Sequence, residues 1–180
     1  MGDKDSAVTA GGMAVGIAAM TIIVTGSNIA VQFPINAWLT WGALTYPISF
    51  LVTDLTNRAY GPRAARRVVY AGFAVAVALS IILATWRIAA ASGSAFLLAQ
   101  LLDIAIFDRL RRAAWWRAPF VSSILASAVD TALFFTLAFA GTGLPWVTWG
   151  IGDFGVKLAM ALLLLAPFRA ADGAPPPGER

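Results

Sequence analysis

Six long apolar runs, separated by short polar segments, limit what this chain can fold into. They cover residues 7–30, 37–57, 68–86, 90–108, 119–140 and 149–168. A helix of about 20 residues crosses the roughly 30 Å hydrocarbon core of a bilayer. Only 12% of the residues are charged, against about 25% in typical soluble domains. The sequence therefore predicts an all-α polytopic membrane protein, a six-helix transmembrane bundle that forms one domain over residues 7–168.

Basic residues divide the connections between these runs into two sides. Residues 58–67 and 109–117 each contain four arginines, whereas the alternate connections contain Arg87 and little other positive charge. Because cytoplasmic loops carry the excess of Lys and Arg, the arginine-rich loops are expected to face the cytoplasm. Both termini are then cytoplasmic. We expect residues 1–6 to be a short polar tail and the Pro- and Gly-rich residues 169–180 to be a disordered one.

Residue types that are absent exclude several functions. The sequence contains no cysteine and no histidine, which excludes disulfides, thiolate nucleophiles, histidine metal sites and Ser-His-Asp triads. No motif pairs a nucleophile with a base, so we expect neither an enzyme nor a cofactor. The net charge of +4 is explained by arginines that set the topology, and we expect no nucleic-acid partner.

Four aspartates, Asp54, Asp103, Asp130 and Asp153, fall within or at the ends of the predicted spans. An aspartate at the centre of a membrane helix costs about 2.5–3.5 kcal/mol, so such residues face the bundle interior and indicate functional sites. The alternative for Asp54 and Asp103 is pairing with nearby arginines. For Asp153 it is pairing with Lys157, four positions on. Asp130 has no basic residue at helical spacing and is the strongest candidate.

Amide and hydroxyl side chains accompany these aspartates on the same helical faces. Asn57 and Gln100 each lie three positions from an aspartate, and Ser123 and Ser127 lie seven and three positions before Asp130. A carboxylate beside an amide presents both hydrogen-bond acceptors and donors. This combination suits the edge of a heterocyclic base, and a proton-carrying role for the carboxylates is equally compatible.

Two places interrupt the helical pattern. Pro47 lies within the second run and predicts a kink beside Tyr46. The kink either opens space for a ligand or serves packing alone, since proline is frequent in membrane helices. The third and fourth runs leave almost no room for a loop between them. We therefore place the turn after Arg87, with Arg87 at the outer membrane face or in a short re-entrant bend.

A series of motifs occupies nearly the whole chain from about Ser27. The most specific are TDLTNRAYGPRAARR (Thr53 to Arg67) and AQLLDIAIFDRLRR (Ala99 to Arg112). They are accompanied by SNIAVQFP (Ser27 to Pro34), WWRAPFVSSILASAVDTALFFTLAF (Trp115 to Phe139) and DFGVKLAMALLLLAPF (Asp153 to Phe168). With these motifs in this order, the chain resembles the queuosine precursor transporter family, also called the putative vitamin uptake transporter family.

The resemblance implies a multi-pass protein of the bacterial inner membrane. It would import a purine-like base, 7-cyano- or 7-aminomethyl-7-deazaguanine, through a polar site inside the helix bundle. The family is similar in plan to the substrate-binding subunits of energy-coupling-factor transporters, so a homo-oligomer or an ATPase and coupling module remains open as a partner. The alternatives are a substrate-binding subunit of such a transporter for another vitamin, and a membrane scaffold that transports nothing.

The resemblance also indicates which residues bind the substrate. Nine positions match the polar motif residues of the family, and Ser127 joins them because it shares a helical face with Ser123 and Asp130. The predicted substrate-binding residues are Asp54, Asn57, Arg87, Gln100, Asp103, Ser123, Ser127, Asp130, Asp153 and Lys157. One feature departs from the family. A longer outer segment normally precedes the Arg-Ile-Ala motif, whereas here Arg67 and Arg87 are only 20 positions apart.

Overall fold

A computed structural model describes the backbone of residues 2–172 and the side-chain surroundings of residues 10–170. The described chain contains eight helical segments and no extended strand. In order, they are α1 Gly2–Ala30, α2 Trp41–Thr45, α3 Ile48–Tyr60, α4 Pro62–Leu83, α5 Trp86–Leu110, α6 Arg117–Phe139, α7 Trp146–Leu163 and α8 Leu165–Asp172. The all-α fold class that the apolar runs predict is confirmed.

Five helical stretches are long and apolar enough to cross a membrane. They are 10–30, Pro62–Leu83, Trp86–Leu110, Arg117–Phe139 and 146–170. Large apolar side chains such as Ile82, Leu83 and Leu163 are exposed on their outer faces. In a soluble protein such exposure would be unfavourable, whereas in a bilayer these faces contact lipid. The chain is therefore a multi-pass membrane protein.

The predicted span over residues 37–57 is not one helix. It is divided into α2 and α3, which meet at Tyr46 and Pro47. Pro47 has no N–H to bond to the preceding turn, and its ring crowds the carbonyl four residues back, so a regular helix stops there. Residues 31–40 form a loop in which Pro34 and Thr40 make an isolated antiparallel bridge. Tyr46 and Pro47 keep helical backbone angles, so the predicted kink is an interruption of the helical hydrogen bonds, which we call the α2–α3 break.

The turn between α4 and α5 lies earlier than the sequence indicates. It consists of Ala84 and Thr85, and Arg87 belongs to the first turn of α5. Thr85 has extended backbone angles, and its hydroxyl accepts a hydrogen bond from the N–H of Ile88 at 3.3 Å. Because an N-cap threonine can start a helix this abruptly, two residues are enough to reverse the chain. Arg87 is therefore not in a re-entrant bend.

Other helix ends also differ from the predicted ones. The helix α1 already begins at Gly2, inside the predicted polar tail over residues 1–6. The predicted last span over residues 149–168 is divided at Leu164, and α8 extends into the predicted disordered tail. Residues 173–180 of that tail lie outside the described chain. The cytoplasmic position of both termini stays a prediction.

Glycines let the helices around the break pack closely. A side chain at Gly42 would lie 2.9 Å from the Ser27 carbonyl oxygen and the Val31 backbone nitrogen, so α2 contacts the backbone of α1 directly. At Gly72, a side chain would lie 2.8 Å from Met20, which brings α4 against α1 in the same way. Small residues permit such close approach between membrane helices. The contact at Gly42 holds the α2–α3 break, and with it Tyr46, against the bundle interior.

Two ends of the bundle can be distinguished. At one end, which we call the arginine end, α3 and α5 end and α4 and α6 begin. There Arg111 donates to the Asn57 carbonyl at 2.6 Å, and Arg58 donates to the Arg111 carbonyl at 3.3 Å. At the opposite end, Arg87 on α5 donates to the Leu137 carbonyl at 2.8 Å and to the Ala140 carbonyl at 2.6 Å. These bonds satisfy carbonyls that the last turn of α6 leaves without helical partners.

Candidate functional site

A buried ion-pair network lies between α6, α7 and the α2–α3 break. Lys157 Nζ is 2.7 Å from Asp130 Oδ2 and 2.6 Å from Asp153 Oδ2. The Thr131 hydroxyl donates to Asp153 Oδ2 at 2.8 Å. The Tyr46 hydroxyl donates to Asp130 Oδ1 at 2.8 Å. We call these five residues the lysine network, and each is at most 9% exposed.

Helix geometry explains why these residues meet. Asp153 and Lys157 are four positions apart on α7, so their side chains lie on one face and can pair. Asp130 and Thr131 come from α6, which packs against α7. Tyr46 lies at the break that Pro47 imposes, where its ring is 4.9 Å from the lysine nitrogen. The predicted alternative for Asp153, that it neutralises Lys157, is therefore correct as a contact.

The contacts of Lys157 define its role. Its ammonium group has three N–H donors, and its three oxygen neighbours are Asp130 Oδ2, Asp153 Oδ2 and Thr131 Oγ1. All donors are thus used within the network. With both carboxylates ionised, two negative charges surround one positive charge, and the network is net negative. Lys157 positions the carboxylates, and the acceptors that remain belong to the two aspartates.

A cavity opens beside this network. It is small and partly open to the outside of the bundle. The residues that line it come from α1, α2, α5, α6, α7 and the α2–α3 break, and are Ser27, Asn28, Val31, Gly42, Tyr46, Ser92, Asp130, Phe134, Asp153 and Lys157. One wall is therefore polar and acidic, and Phe134, Val31 and the Tyr46 ring supply apolar surface. This combination of apolar walls and a few converging polar groups is typical of small-molecule sites.

Two further aspartates lie closer to the arginine end, apart from this cavity. Asp54 on α3 and Asp103 on α5 interact side chain to side chain, and Ser122 on α6 lies against both. The Ser123 hydroxyl makes a long bond of 3.4 Å to Asp54 Oδ2. Asp54 Oδ1 and both carboxylate oxygens of Asp103 accept no hydrogen bond from the described residues. We call Asp54 and Asp103 the aspartate pair.

The two predicted amides are engaged in contacts between α3 and α5. Gln100 accepts a hydrogen bond from the Thr53 hydroxyl at 2.5 Å and donates to the Ser49 hydroxyl at 3.1 Å. Asn57 donates to the Ile104 carbonyl at 3.3 Å. Both side chains are fully buried. In this structure they hold α3 against α5 beside the aspartate pair, and neither lines the cavity.

The remaining predicted residues take different positions. Ser127 is buried on α6 between Ser123 and Asp130, on the face that runs from the aspartate pair to the lysine network. Arg87 lies outside both groups, because its guanidinium binds the carbonyls at the end of α6. The ten predicted residues thus separate into a cavity group, a group near the aspartate pair, a connecting serine and a helix cap.

Several residues in the two groups were not predicted. Tyr46 was noted beside Pro47, but its bond to Asp130 spans 84 positions and leaves no local pattern. Asn28 is a polar residue in an apolar helix, which is a usable signal, and its amide donates to the Ser80 hydroxyl at 2.8 Å. Thr131 and Ser122 are ordinary residues of a membrane helix. Only the fold shows that Thr131 donates to Asp153 and that Ser122 lies beside the aspartate pair. No group of three or more acidic side chains among the described residues could hold a metal ion.

Comparisons with known proteins agree with this architecture. A model of the family described as putative vitamin uptake transporter matches residues 40–85 and 79–171. The chain is 32% identical over 175 residues to the queuosine precursor transporter of Escherichia coli (strain K12), with 81% of this chain and 79% of the relative covered. The chain belongs to the putative vitamin uptake transporter family. Both groups of buried aspartates lie within the matched region.

Two further relatives in this family carry similar names. The probable queuosine precursor transporter of Haemophilus influenzae is 32% identical over 186 residues, with 81% of this chain and 79% of the relative covered. That of Bacillus subtilis is 26% identical over 171 residues, with 78% and 75% covered. No solved structure matches the chain.

The two matched parts of the family meet at the turn between α4 and α5. They overlap at residues 79–85, where the sequence predicts a missing outer segment. The Escherichia coli alignment spans 175 positions although 81% of this 180-residue chain contributes to it. That relative therefore has residues which this chain lacks.

Proposed function

We propose that this protein carries a queuosine precursor, a 7-deazaguanine base, across the bacterial inner membrane, and that the cavity beside the lysine network binds it. The relatives named as queuosine precursor transporters support the substrate class. The cavity supports the position of the site, since it joins an acidic wall to apolar and aromatic surface inside the membrane domain. The observation that carries the proposal is the exposure of the acidic wall of the lysine network to this cavity.

The chemistry of the base matches the groups that remain available. A 7-deazaguanine presents ring N–H and amino donors and one carbonyl acceptor on its edge. Within the described residues, the hydrogen bonds of Asp153 go to Oδ2, and a carboxylate has about four acceptor positions in all. Asp153 Oδ1 and the second lone pairs of Asp130 can accept from the base. The side-chain carbonyl of Asn28 is a further acceptor, because only its amide nitrogen bonds Ser80.

The charge of the network distinguishes the two candidate precursors. One lysine between two aspartates leaves a net negative site, and a positive ligand group placed in such a site is attracted strongly because few water molecules screen it. The aminomethyl form carries an amine that is protonated at neutral pH, whereas the cyano form is neutral. We expect the cavity to bind both bases through the acceptor wall and the aminomethyl form more tightly.

Counterflow measures this function without an energy source. Purified protein in liposomes loaded with unlabelled base should take up labelled 7-cyano- or 7-aminomethyl-7-deazaguanine from outside. Asp130→Asn should reduce this exchange about tenfold or more, since one charged hydrogen bond to the ligand contributes roughly 1.5–3 kcal/mol. Asp108→Asn is the matched control, because Asp108 is an exposed aspartate that pairs with Arg111 at the end of α5. Equal exchange in both variants would contradict the proposed site.

A further inference from the structure

The aspartate pair has properties that the lysine network lacks. Asp103 is fully buried, Asp54 is 3% exposed, and three of their four oxygens accept no hydrogen bond from the described residues. Buried carboxylates normally bind cations or several donors, because an isolated buried charge is strongly unfavourable. Two adjacent carboxylates without such partners cannot both stay ionised. The site is therefore missing positive charge.

Among the residues whose side chains the structure describes, basic groups on the neighbouring helices do not supply that charge. No lysine or arginine nitrogen of the described residues lies within 4.0 Å of either carboxylate of the pair. Lys157 lies in the other network. The arginines on packed elements occupy helix ends and the loops beside them, and are Arg58 on α3, Arg63, Arg66 and Arg67 on α4, Arg87 in the first turn of α5, Arg109, Arg111 and Arg112 at and after its end, Arg117 on α6 and Arg169 on α8. The acidic groups are Asp108, paired with Arg111, and Asp130, paired with Lys157.

A proton is the cation that this arrangement fits. Sodium and larger cations need several oxygen ligands in a shell, and the groups around the pair are two carboxylates and the hydroxyls of Ser122 and Ser123. Two carboxylates in contact can share one proton between them, as in other carboxylate dyads. The shared proton reduces the charge of the pair from two to one and supplies the missing donor.

The position of the pair connects it to the cavity. Ser123 and Asp130 are seven residues apart on α6, a distance of about 10 Å along the helix. Ser127 lies between them on the same face and is buried. Asp54 and Asp103 lie six and seven residues from the ends of α3 and α5, about 10 Å from the arginine end. The pair therefore lies between the cavity and the arginine end.

We propose that the Asp54–Asp103 pair binds one exchangeable proton and couples its movement to transport through the cavity. The coupling to transport rests on the proposed function, whereas binding of the proton to the pair does not depend on any substrate. Binding of the proton neutralises one carboxylate and allows α3, α5 and α6 to pack closely. Its release separates the two carboxylates by repulsion and loosens these helices, which support one side of the cavity.

Infrared spectroscopy tests the proton directly and without substrate. The protein in lipid at neutral pH should show the carbonyl stretch of a protonated carboxylic acid, shifted in deuterated water. The band should shift in frequency in Asp54→Asn and in Asp103→Asn, since the remaining buried carboxylate keeps a proton, and it should be lost when both are replaced by Asn. It should be unchanged in Asp130→Asn, because Asp130 pairs with Lys157 in the wild type. Absence of the band in the wild type would overturn the proposal, whatever the variants do. A band that is unchanged in both single variants, or that persists when both aspartates are replaced, would also overturn it.

Gradient-driven uptake tests the coupling. With one proton moved per base, a gradient of one pH unit supports at most about tenfold accumulation, since a tenfold ratio corresponds to about 1.4 kcal/mol. The wild type should accumulate labelled base under an inward proton gradient. In Asp103→Asn, accumulation should fall by a larger factor than counterflow does. Accumulation that follows a sodium gradient instead would overturn the assignment of a proton. Absence of counterflow in the wild type would contradict the proposed function, and the infrared result would still decide the proton site.

Discussion

The lysine network and the aspartate pair contain the same residue type in the same bundle and differ in what surrounds it. Asp130 and Asp153 share a lysine and also accept hydroxyl hydrogen bonds. Asp54 and Asp103 face each other, and three of their oxygens accept no hydrogen bond within the described chain. The first arrangement holds paired charge at a cavity, whereas the second has no positive partner among the described residues. A buried aspartate therefore indicates a function only together with its partners.

Removing the lysine should have the largest effect. Lys157→Met leaves two buried carboxylates without their cation, and breaking a buried ion pair in this way costs about 3–5 kcal/mol. We expect the free energy of unfolding in mixed micelles to fall by that amount and counterflow to be lost. Lys157→Arg, which keeps the charge, is the control and should recover part of the stability. A loss below about 1 kcal/mol in Lys157→Met would show that the network is not a stabilising ion pair.

Neutralising one carboxylate of the network should have a smaller effect on stability. Asp130→Asn still accepts a hydrogen bond from Tyr46, and Lys157 still pairs with Asp153, so one charge-assisted hydrogen bond of about 1.5–3 kcal/mol is weakened. The same variant should strongly reduce counterflow, because it changes the acceptor wall of the cavity. Thermal unfolding and counterflow measured on one preparation separate the two effects. Counterflow that falls only in proportion to the folded fraction would assign Asp130 a structural role.

Removing one hydroxyl from the network tests its hydrogen bonds without changing its charge. Thr131→Val keeps the shape and removes the O–H that donates to Asp153 and accepts from Lys157. We expect the free energy of unfolding to fall by about 1–2 kcal/mol. Ser122→Ala beside the aspartate pair is the matched control and should change stability less, because its hydroxyl makes only a long bond of 3.4 Å to the Pro119 carbonyl. Equal losses of unfolding free energy in the two variants would show that hydroxyl hydrogen bonds stabilise the lysine network no more than the aspartate pair.

Neutralising one member of the aspartate pair should have the smallest effect on the free energy of unfolding, and it should not lower it. Asp103→Asn replaces one member of an unpaired acidic pair by a neutral group of the same shape, which removes the repulsion between two adjacent carboxylates. We expect the free energy of unfolding to stay the same or rise by up to about 1 kcal/mol at neutral pH. Denaturation of the wild type and the variant in parallel measures the difference. A loss above about 2 kcal/mol would indicate a partner for Asp103 other than a proton.

The sequence predicted the parts of this protein that depend on local pattern. Apolar runs predicted the helices, and the four-residue spacing predicted that Asp153 and Lys157 pair. Pro47 predicted a kink beside Tyr46, and α2 and α3 meet there with helical backbone angles at both residues. The packing of Gly42 against α1, which positions this kink, could not be predicted from local pattern.

Contacts between helices that are far apart in sequence could not be predicted from local pattern. Asp130 has no basic residue at helical spacing, yet Lys157 reaches it from α7 at 2.7 Å. Helix periodicity predicts contacts only between residues three and four positions apart on one helix, so it could not predict that Lys157 pairs with Asp130. Arg87 was assigned to substrate on resemblance, and the structure shows its guanidinium bonded to the end of α6. For the same reason, only the fold shows that most of the ten predicted residues belong either to the cavity or to the surroundings of the aspartate pair.

One measurement tests the transport function most directly. A strain that can neither make nor import the queuosine precursor should express this chain, with low external 7-cyano- or 7-aminomethyl-7-deazaguanine supplied separately, and queuosine in its tRNA should be quantified. We expect the wild type and Asp108→Asn to restore queuosine and Asp130→Asn to restore far less at equal membrane abundance. No queuosine from a wild-type protein present in the membrane, or equal restoration by Asp130→Asn, would contradict transport through this cavity.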